Sequence, residues 1–314
     1  MRAPKFWARR SVMGCMLSPL GWLYGLGGIM RQAFASPAKC GVPVICVGNL
    51  TAGGSGKTPT VLAMADYFQN QGKTVHILCY GYGGREQGPL QVDLHKHSFA
   101  DVGDEAILLA EKAPTWIGRD RATSAQKAVA AGAEIIIMDD GFQYPYLHKD
   151  KHIMVIDGGF GFGNRHLIPA GPLREFKSRG LARADQFLIV GPDETGITQG
   201  LPADKTLTAT LAPQPMEELH GKKITAFAAI GRPEKFFDTL RNLGAYIGTT
   251  YAFPDHHAFN KEELTHILRQ AEKDQVPVYT TSKDAVRLPA PVRNQVKVLP
   301  VELDIQEIKN LAAV

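Results

Sequence analysis

Gly53-Gly54-Ser55-Gly56-Lys57-Thr58 constrains this chain more than any other stretch. A glycine run that ends in Lys-Thr lets successive backbone N–H groups turn toward nucleotide phosphates. It also brings the lysine ammonium to the β- and γ-oxygens and offers the hydroxyl to magnesium. Such a loop needs a strand before it and a helix after it. Residues 44–47 supply an apolar strand and residues 60–70 a helical stretch, with Pro59 at an early turn where a missing N–H matters little. Thr51, Ala52, Gly53, Gly54, Ser55, Gly56, Lys57 and Thr58 are therefore the candidate nucleotide-binding residues, with ATP and Mg2+ as the ligands. Thr51 stands where the usual pattern opens with glycine, so the loop is a variant. The competing reading is a glycine-rich turn without function.

The surrounding pattern fits that loop. From residue 42 onward, short β-branched runs alternate with helical stretches, the mark of parallel βαβ units. Strands are expected at 42–47, 74–79, 134–138, 153–156 and 187–190, and helices at 60–70, 104–112 and 123–131. The fold class that follows is α/β: a P-loop NTPase-like, doubly wound, mostly parallel sheet. Residues 157–183 are rich in Gly, Pro and Arg with little periodicity, as expected of a loop over a ligand site. The polar, turn-rich 191–215 stretch carries the expected boundary to a smaller C-terminal α/β unit. That unit should hold strands at 224–230, near 251 and at 278–281, helices at 234–243 and 261–273, and a short terminal strand and helix. The expected domains are 1–35, a membrane-associating segment; 36–205, the nucleotide-binding domain; and 206–314, the smaller domain.

At 314 residues and 44% hydrophobic composition the chain can bury a full core, which excludes a disordered protein. Its 35 Lys plus Arg against 31 Asp plus Glu leave a net charge of +4, which suits anionic ligands but does not argue for nucleic acid. Cys15, Cys40, Cys46 and Cys79 have no C-x-x-C or Cys/His spacing, so no zinc site or disulfide framework is expected.

A second chemical element is Ile135-Ile136-Ile137-Met138-Asp139-Asp140, an apolar strand that ends in two carboxylates. In P-loop folds an acid at that place holds the metal, directly or through water. The spacing does not say which of Asp139 and Asp140 does so, and a solvated turn would show the same letters. Arg119 and Arg121 could clamp phosphate bidentately or form an exposed ion-pair cluster. Asp104 opens a helix after Gly103 and reads either as a helix cap or as a base.

Residues 11–30 carry no charge and are bracketed by Lys5, Arg9, Arg10 and Arg31. A signal peptide would put a nucleotide site where there is no ATP. A spanning helix needs about 20 apolar residues, and Pro19 with five glycines makes this a poor one. The adopted reading is a monotopic anchor, with Trp7, Trp22 and Tyr24 at the headgroup level and the cations on anionic lipid; a helix packed on the protein's own core is the alternative.

Several ordered blocks resemble the tetraacyldisaccharide 4'-kinase family of lipid A biosynthesis over nearly the whole chain. They are 47–59, Gly81-Tyr82-Gly83-Gly84, Val102-Gly103-Asp104-Glu105, Asp139-Asp140-Gly141-Phe142-Gln143, Pro169-Ala170-Gly171-Pro172-Leu173-Arg174-Glu175, Phe253-Pro254-Asp255-His256-His257 and 281–288. The threonine opening of the P-loop is a habit of that family. The resemblance implies transfer of the ATP γ-phosphate to the 4'-hydroxyl of a lipid A disaccharide 1-phosphate, at the cytoplasmic face of the inner membrane. It implies Asp104 and His256 as a catalytic pair beside Lys57, Asp139 and Asp140, with Thr58, Asp139 and Asp140 around magnesium. It places Arg174 and Glu175 near the sugar or its 1-phosphate, and Arg119, Arg121 and Gln143 join them as candidate substrate residues. Phe160, Phe162 and Phe176 could lie beside acyl chains or simply pack in the core. The sequence departs from the family at Tyr80, where relatives usually carry arginine, so no role is rested on that position.

Two rival readings share the P-loop. A membrane-associated regulatory ATPase or GTPase would hydrolyse nucleotide without an acceptor, but Thr281-Ser282-Lys283-Asp284 lacks the asparagine of a guanine-reading motif. A scaffold with a degenerate P-loop is opposed by the intact Lys57, Thr58 and both acids.

Overall fold

A computed structural model describes residues 4–214, 216–231, 233–254 and 257–313. The chain divides into a larger compact unit reaching to Leu211 and taking in the chain from Leu303 onward, and a smaller unit, Ala212–Glu302.

The larger unit is built on one nine-stranded sheet. Its strands are β1 (Val44–Gly48), β2 (Val75–Cys79), β3 (Leu90–Gln91), β4 (Thr115–Ile117), β5 (Ile135–Asp139), β6 (Lys151–Asp157), β7 (Gln186–Val190), β8 (Thr206–Pro213) and, from the C-terminal end of the chain, β13 (Val301–Ile305). The order across the sheet is β13-β8-β7-β6-β1-β5-β2-β4-β3. Pairings β1 to β5, β1 to β6, β2 to β5, β2 to β4, β6 to β7 and β7 to β8 are all parallel, and the short β3 runs antiparallel to β4. Every residue of β1, β2 and β5 is buried, as expected of central strands covered on both faces and written as unbroken apolar runs. The α-helices of this unit are α1 (Val12–Ala33), α2 (Lys57–Asn70), α3 (Phe99–Val102), α4 (Asp104–Ala110), α5 (Arg121–Ala130), α6 (Lys177–Arg183) and a short C-terminal helix, Ile308–Ala312. Because β1 lies mid-sheet beside β5, the loops leaving the carboxyl ends of both strands open at the same place, where ligands bind in open α/β sheets.

The smaller unit carries a four-stranded parallel sheet in the order β10-β9-β11-β12, with β9 (Lys223–Ala228), β10 (Tyr246–Ala252), β11 (Val278–Thr281) and β12 (Val296–Leu299). Helices α7 (Pro233–Asn242) and α8 (Lys261–Lys273) bury Phe236, Phe237 and Leu240, and Leu264, Ile267 and Ala271 respectively, at the 3–4 residue spacing of one helical face.

The partition differs from the expected boundary after residue 205. Residues 206–213, which read as polar and turn-rich, form β8 beside β7, and the last residues return to the larger unit. A buried lysine helps to hold that return: Lys151 Nζ donates to the carbonyl of Asn310 at 3.1 Å and also to that of Ala313.

Candidate functional site

The loop between β1 and α2 is shaped by its glycines and pinned from two sides. Gly56 caps α2 with φ of 93°, and a Cβ there would meet the Val190 side chain at 3.1 Å, so glycine is required. Beside Gly53 and Gly54 there is open space within 4 Å, room that a phosphate could use. Asn49 Nδ2 donates to Ser55 Oγ at 2.9 Å, tying the two ends of the loop. From outside, the Ala52 amide donates to the Pro172 carbonyl at 2.8 Å and the Arg174 amide to that of Leu50 at 2.8 Å. The Gly/Pro/Arg segment thus lies directly against the loop, beside the expected ligand site.

Lys57, the first residue of α2, projects its ammonium to 3.8 Å from Asp140 Oδ1. Asp140 follows β5 in a left-handed conformation with φ of 50°. Its carboxylate also receives Arg174 Nη1 at 2.9 and 2.7 Å. Burial alone would raise the pKa of this carboxyl. Lys57 and Arg174, with help from Arg121, outweigh that effect and hold it below the ordinary carboxylate range. Arg121 is itself buried, and its Nη1 donates to the carbonyls of Asp139 at 3.2 Å and Asp140 at 2.9 Å. Its guanidinium lies 5.8 Å from the ring centre of Tyr80 and 5.7 Å from that of Tyr144. Arg121 thereby sets the turn that aims both acids, while Arg119 is exposed.

Asp104 is buried at the first turn of α4, and its Oδ1 accepts the Glu105 amide at 2.9 Å. The preceding Gly103 has φ of 89°, and a Cβ there would sit 2.4 Å from the Tyr82 carbonyl. The two glycine-containing blocks, 81–84 and 102–105, are therefore packed backbone to backbone. Thr58 Oγ1 donates to Glu105 Oε1 at 3.4 Å, which brings the start of α4 up to the P-loop hydroxyl. Thr58, Glu105, Asp139 and Asp140 provide hydroxyl and carboxylate oxygens, the hard donors that suit magnesium. Among the described residues no group of three or more His, Cys, Asp or Glu forms a metal cage.

Gln143 and Glu175 belong to one network behind these acids. Gln143 Nε2 donates to the Asn49 carbonyl at 3.0 Å and to Glu175 Oε1 at 2.8 Å, and Arg183 Nη2 donates to both Glu175 oxygens at 2.8 and 2.7 Å. Arg31 at the end of α1 donates to the Gln143 carbonyl at 2.7 Å. The body of α1 packs through Gly14, Gly21 and Gly25, the buried positions of that helix.

The tetraacyldisaccharide-1-P 4'-kinase family profile matches residues 13–314. A tetraacyldisaccharide 4'-kinase of Paramagnetospirillum magneticum is 47% identical over 310 residues, covering 97% of this chain and 94% of the relative. The enzyme of the same name from Parvibaculum lavamentivorans is 47% identical over 300 residues, with 92% and 87% covered. This chain belongs to the tetraacyldisaccharide-1-P 4'-kinase family. The fold agrees: a crystal structure of LpxK from Aquifex aeolicus in complex with ATP superimposes with a TM-score of 0.76 at 28% identity, covering 96% of this chain and 98% of that one.

Tyr80, the position expected to depart from the family pattern, lends its ring to Arg121. Two further residues, Glu105 beside Thr58 and Arg183 on Glu175, carry contacts that no motif spacing disclosed. His256 lies outside the described residues. Its neighbour His257 is engaged within the smaller unit: its Nε2 lies 2.9 Å from Glu263 Oε2, its ring stacks on Phe253 at 4.9 Å, and its carbonyl accepts Arg287 Nη1 at 3.3 Å. The 281–288 block is accounted for by the buried Asp284, which accepts the Ala229 amide at 3.1 Å and the Thr281 hydroxyl at 2.6 Å.

Proposed function

We propose that this chain transfers the γ-phosphate of ATP to the 4'-hydroxyl of tetraacyldisaccharide 1-phosphate, with Asp104 as the general base. The observation that carries the reading is the convergence of Lys57, Thr58, Asp140 and the start of α4 on one loop that opens beside unfilled space. A sugar hydroxyl is a poor nucleophile at neutral pH, so a carboxylate placed next to the phosphate loop has a clear task in a loose phosphoryl transfer. Lys57 orients the β- and γ-oxygens, and the turn held by Arg121 fixes Asp139 and Asp140. Thr58, Asp139 and Asp140 would hold magnesium, with Glu105 at the edge of that set, the ion serving to neutralise charge on the phosphate oxygens. Arg119, exposed at the end of β4, is free to meet an incoming phosphate. His256 is assigned as the partner of Asp104 by the family pattern alone.

The acceptor is a lipid, and α1 supports work at a bilayer surface, read here as the cytoplasmic face of the inner membrane. Val12, Met16, Trp22, Leu23 and Met30 are all more than half exposed on that helix, as is Phe34 just after it. It is also the one described helix long and apolar enough to cross a membrane.

The test is movement of radiolabel from [γ-32P]ATP to a lipid A disaccharide 1-phosphate in detergent micelles, abolished by Lys57→Ala. ATP turnover indifferent to that lipid would instead support a regulatory ATPase and sink the kinase reading. Asp104→Ala should lower kcat by about a hundredfold or more while ATP affinity holds. His256→Ala should do the same to a smaller degree if it backs the base.

A further inference from the structure

The segment between Arg165 and Lys177 forms, with α1, a pocket of about 80 Å3 lined by Ser18, Trp22, Arg165, His166, Phe176 and Lys177, together with two leucines. That is the space of roughly three waters, the scale of one phosphate group. Two cations share it without an acid: among the described residues neither Arg165 nor Lys177 has a carboxylate partner, and no Asp or Glu lines the walls. Their arrangement is held by the fold. Arg165 occupies a left-handed conformation with φ of 66°, an uncommon choice for arginine. Lys177 Nζ lies 4.9 Å from the Phe162 ring centre. His166 Nδ1 is 2.8 Å from Ser18 Oγ, which fixes the plane of its ring at the pocket wall. Burial, and then the positive charge of Arg165, push the Lys177 ammonium below its ordinary pKa.

The pocket's position says which kind of anion. Leu173 on its wall bridges to Thr51 of the P-loop on one side and to Leu167 on the other. Three chain segments therefore lie side by side between the phosphate loop and the cations, two strand spacings or roughly 10 Å. That is about the span of two linked sugar rings. On the other side, Trp22 and the exposed apolar face of α1 border the pocket, where acyl chains would lie. Arg174, which the family pattern directs toward the substrate, is engaged with Asp140 in this structure, whereas Arg165 and Lys177 face the pocket without an acid on its walls.

We propose that Arg165, His166 and Lys177 form a phosphate-binding subsite for an acylated amphiphile, filled by the acceptor's own anomeric phosphate while its 4'-hydroxyl faces the P-loop. This assignment rests on the kinase reading above. A phosphodiester headgroup of the bilayer offers the same chemistry, and the experiment separates the two sources.

The probes are the tetraacyldisaccharide with its 1-phosphate, the same acceptor with a free 1-hydroxyl, and vesicles of phosphatidylglycerol or phosphatidylcholine. The variants are Arg165→Ser/Lys177→Ser and the charge-conserving Arg165→Lys/Lys177→Arg, each checked for an unchanged melting temperature and ATP KM. If the acceptor's phosphate fills the pocket, the Ser pair raises KM for the 1-phosphate acceptor tenfold or more with kcat within about twofold. The preference over the 1-hydroxyl acceptor is then lost, and the charge-conserving pair restores most of it. If a headgroup fills the pocket, acceptor kinetics stay level and affinity for phosphatidylglycerol vesicles falls tenfold relative to phosphatidylcholine. That result overturns the acceptor assignment but keeps the subsite. If neither readout moves, there is no phosphate subsite here. A wild-type protein that phosphorylates neither acceptor refutes the kinase reading, and the vesicle arm then still decides the subsite.

Discussion

Asp140→Asn removes one negative charge at nearly constant shape from between two cations. Lys57 Nζ lies 3.8 Å from Asp140 Oδ1, and Arg174 Nη1 is closer still. At 3.8 Å and an effective dielectric constant of about 20, the lysine pair alone is worth about 4 kcal/mol. The carboxylate is 30% exposed, so solvent screening reduces this to about 1–2 kcal/mol. ATP must draw Lys57 away from that internal anion before its phosphates can replace it. With the anion gone, ATP offered in EDTA should bind about 5–30-fold more tightly to the variant. Magnesium-ATP should gain nothing or weaken, because an amide is a poorer ligand for magnesium than a carboxylate. Phosphoryl transfer should fall by about a hundredfold. Isothermal titration calorimetry with EDTA and then with magnesium chloride measures both affinities, and a thermal melt confirms that the variant is folded. Unchanged or weakened affinity for metal-free ATP would show that Asp140 does not compete with phosphate for Lys57, and the electrostatic account of the loop would fail.

Acid should expose a histidine. Burial, then the nearby Lys149, lower the pKa of His152 from 6.5 to about 4, so the native state keeps it neutral while the unfolded chain protonates it. Its contribution is complete above pH 6.5 and is lost as the pH falls toward 4, up to about 3 kcal/mol; urea titrations at pH 7 and 5 should show a smaller loss for His152→Gln than for the wild type. Burial raises the thiols of Cys46 and Cys79 to about 11 and about 12, so iodoacetamide at pH 8 should leave both unmodified in the native protein and label them in urea. On α1, Gly28→Ala adds a methyl that meets nothing within 4 Å and should stabilise the protein in detergent by about 0.5–1 kcal/mol. Gly25→Ala brings the methyl to 2.5 Å from the Phe176 ring and should cost about 1–3 kcal/mol, read as a lower melting temperature; equal effects at the two positions would refute the packing described for this helix.

The parts of the site that were legible in the sequence are those made by consecutive residues. The P-loop, the acids at the end of β5 and the glycine blocks are local patterns, because a strand, a turn and a helix start must be written next to one another. Helix α8 and strand β11 fall at the expected 261–273 and 278–281 for the same reason. The remaining features depend on partners distant along the chain. Glu105 meets Thr58 across 47 residues, and Arg121 reaches carbonyls 18 and 19 residues away. No spacing rule encodes such a distance. The polar β8 was hidden because half its residues face solvent, and its place depends on β7 and β13, the latter almost a hundred residues later.

The N-terminal helix shows how one residue type carries opposite meanings in two solvents. In water, five glycines and a proline in 22 residues weaken a helix, and that is why the sequence argued against a spanning segment. The structure puts Gly14, Gly21 and Gly25 on one seam, so close to the 164–176 segment that added Cβ atoms would meet Ala170, Leu167 and Phe176 at 2.5–3.2 Å. The bulky side chains point away, the reverse of a helix that buries its apolar face in its own protein. Small residues inward and large apolar residues outward is the packing mode of helices whose surroundings are as apolar as leucine itself. Backbone closeness then supplies the contact with the protein. The glycines that lower helix propensity are thus what allows α1 to lie flat along the cationic pocket with its large apolar side chains turned outward.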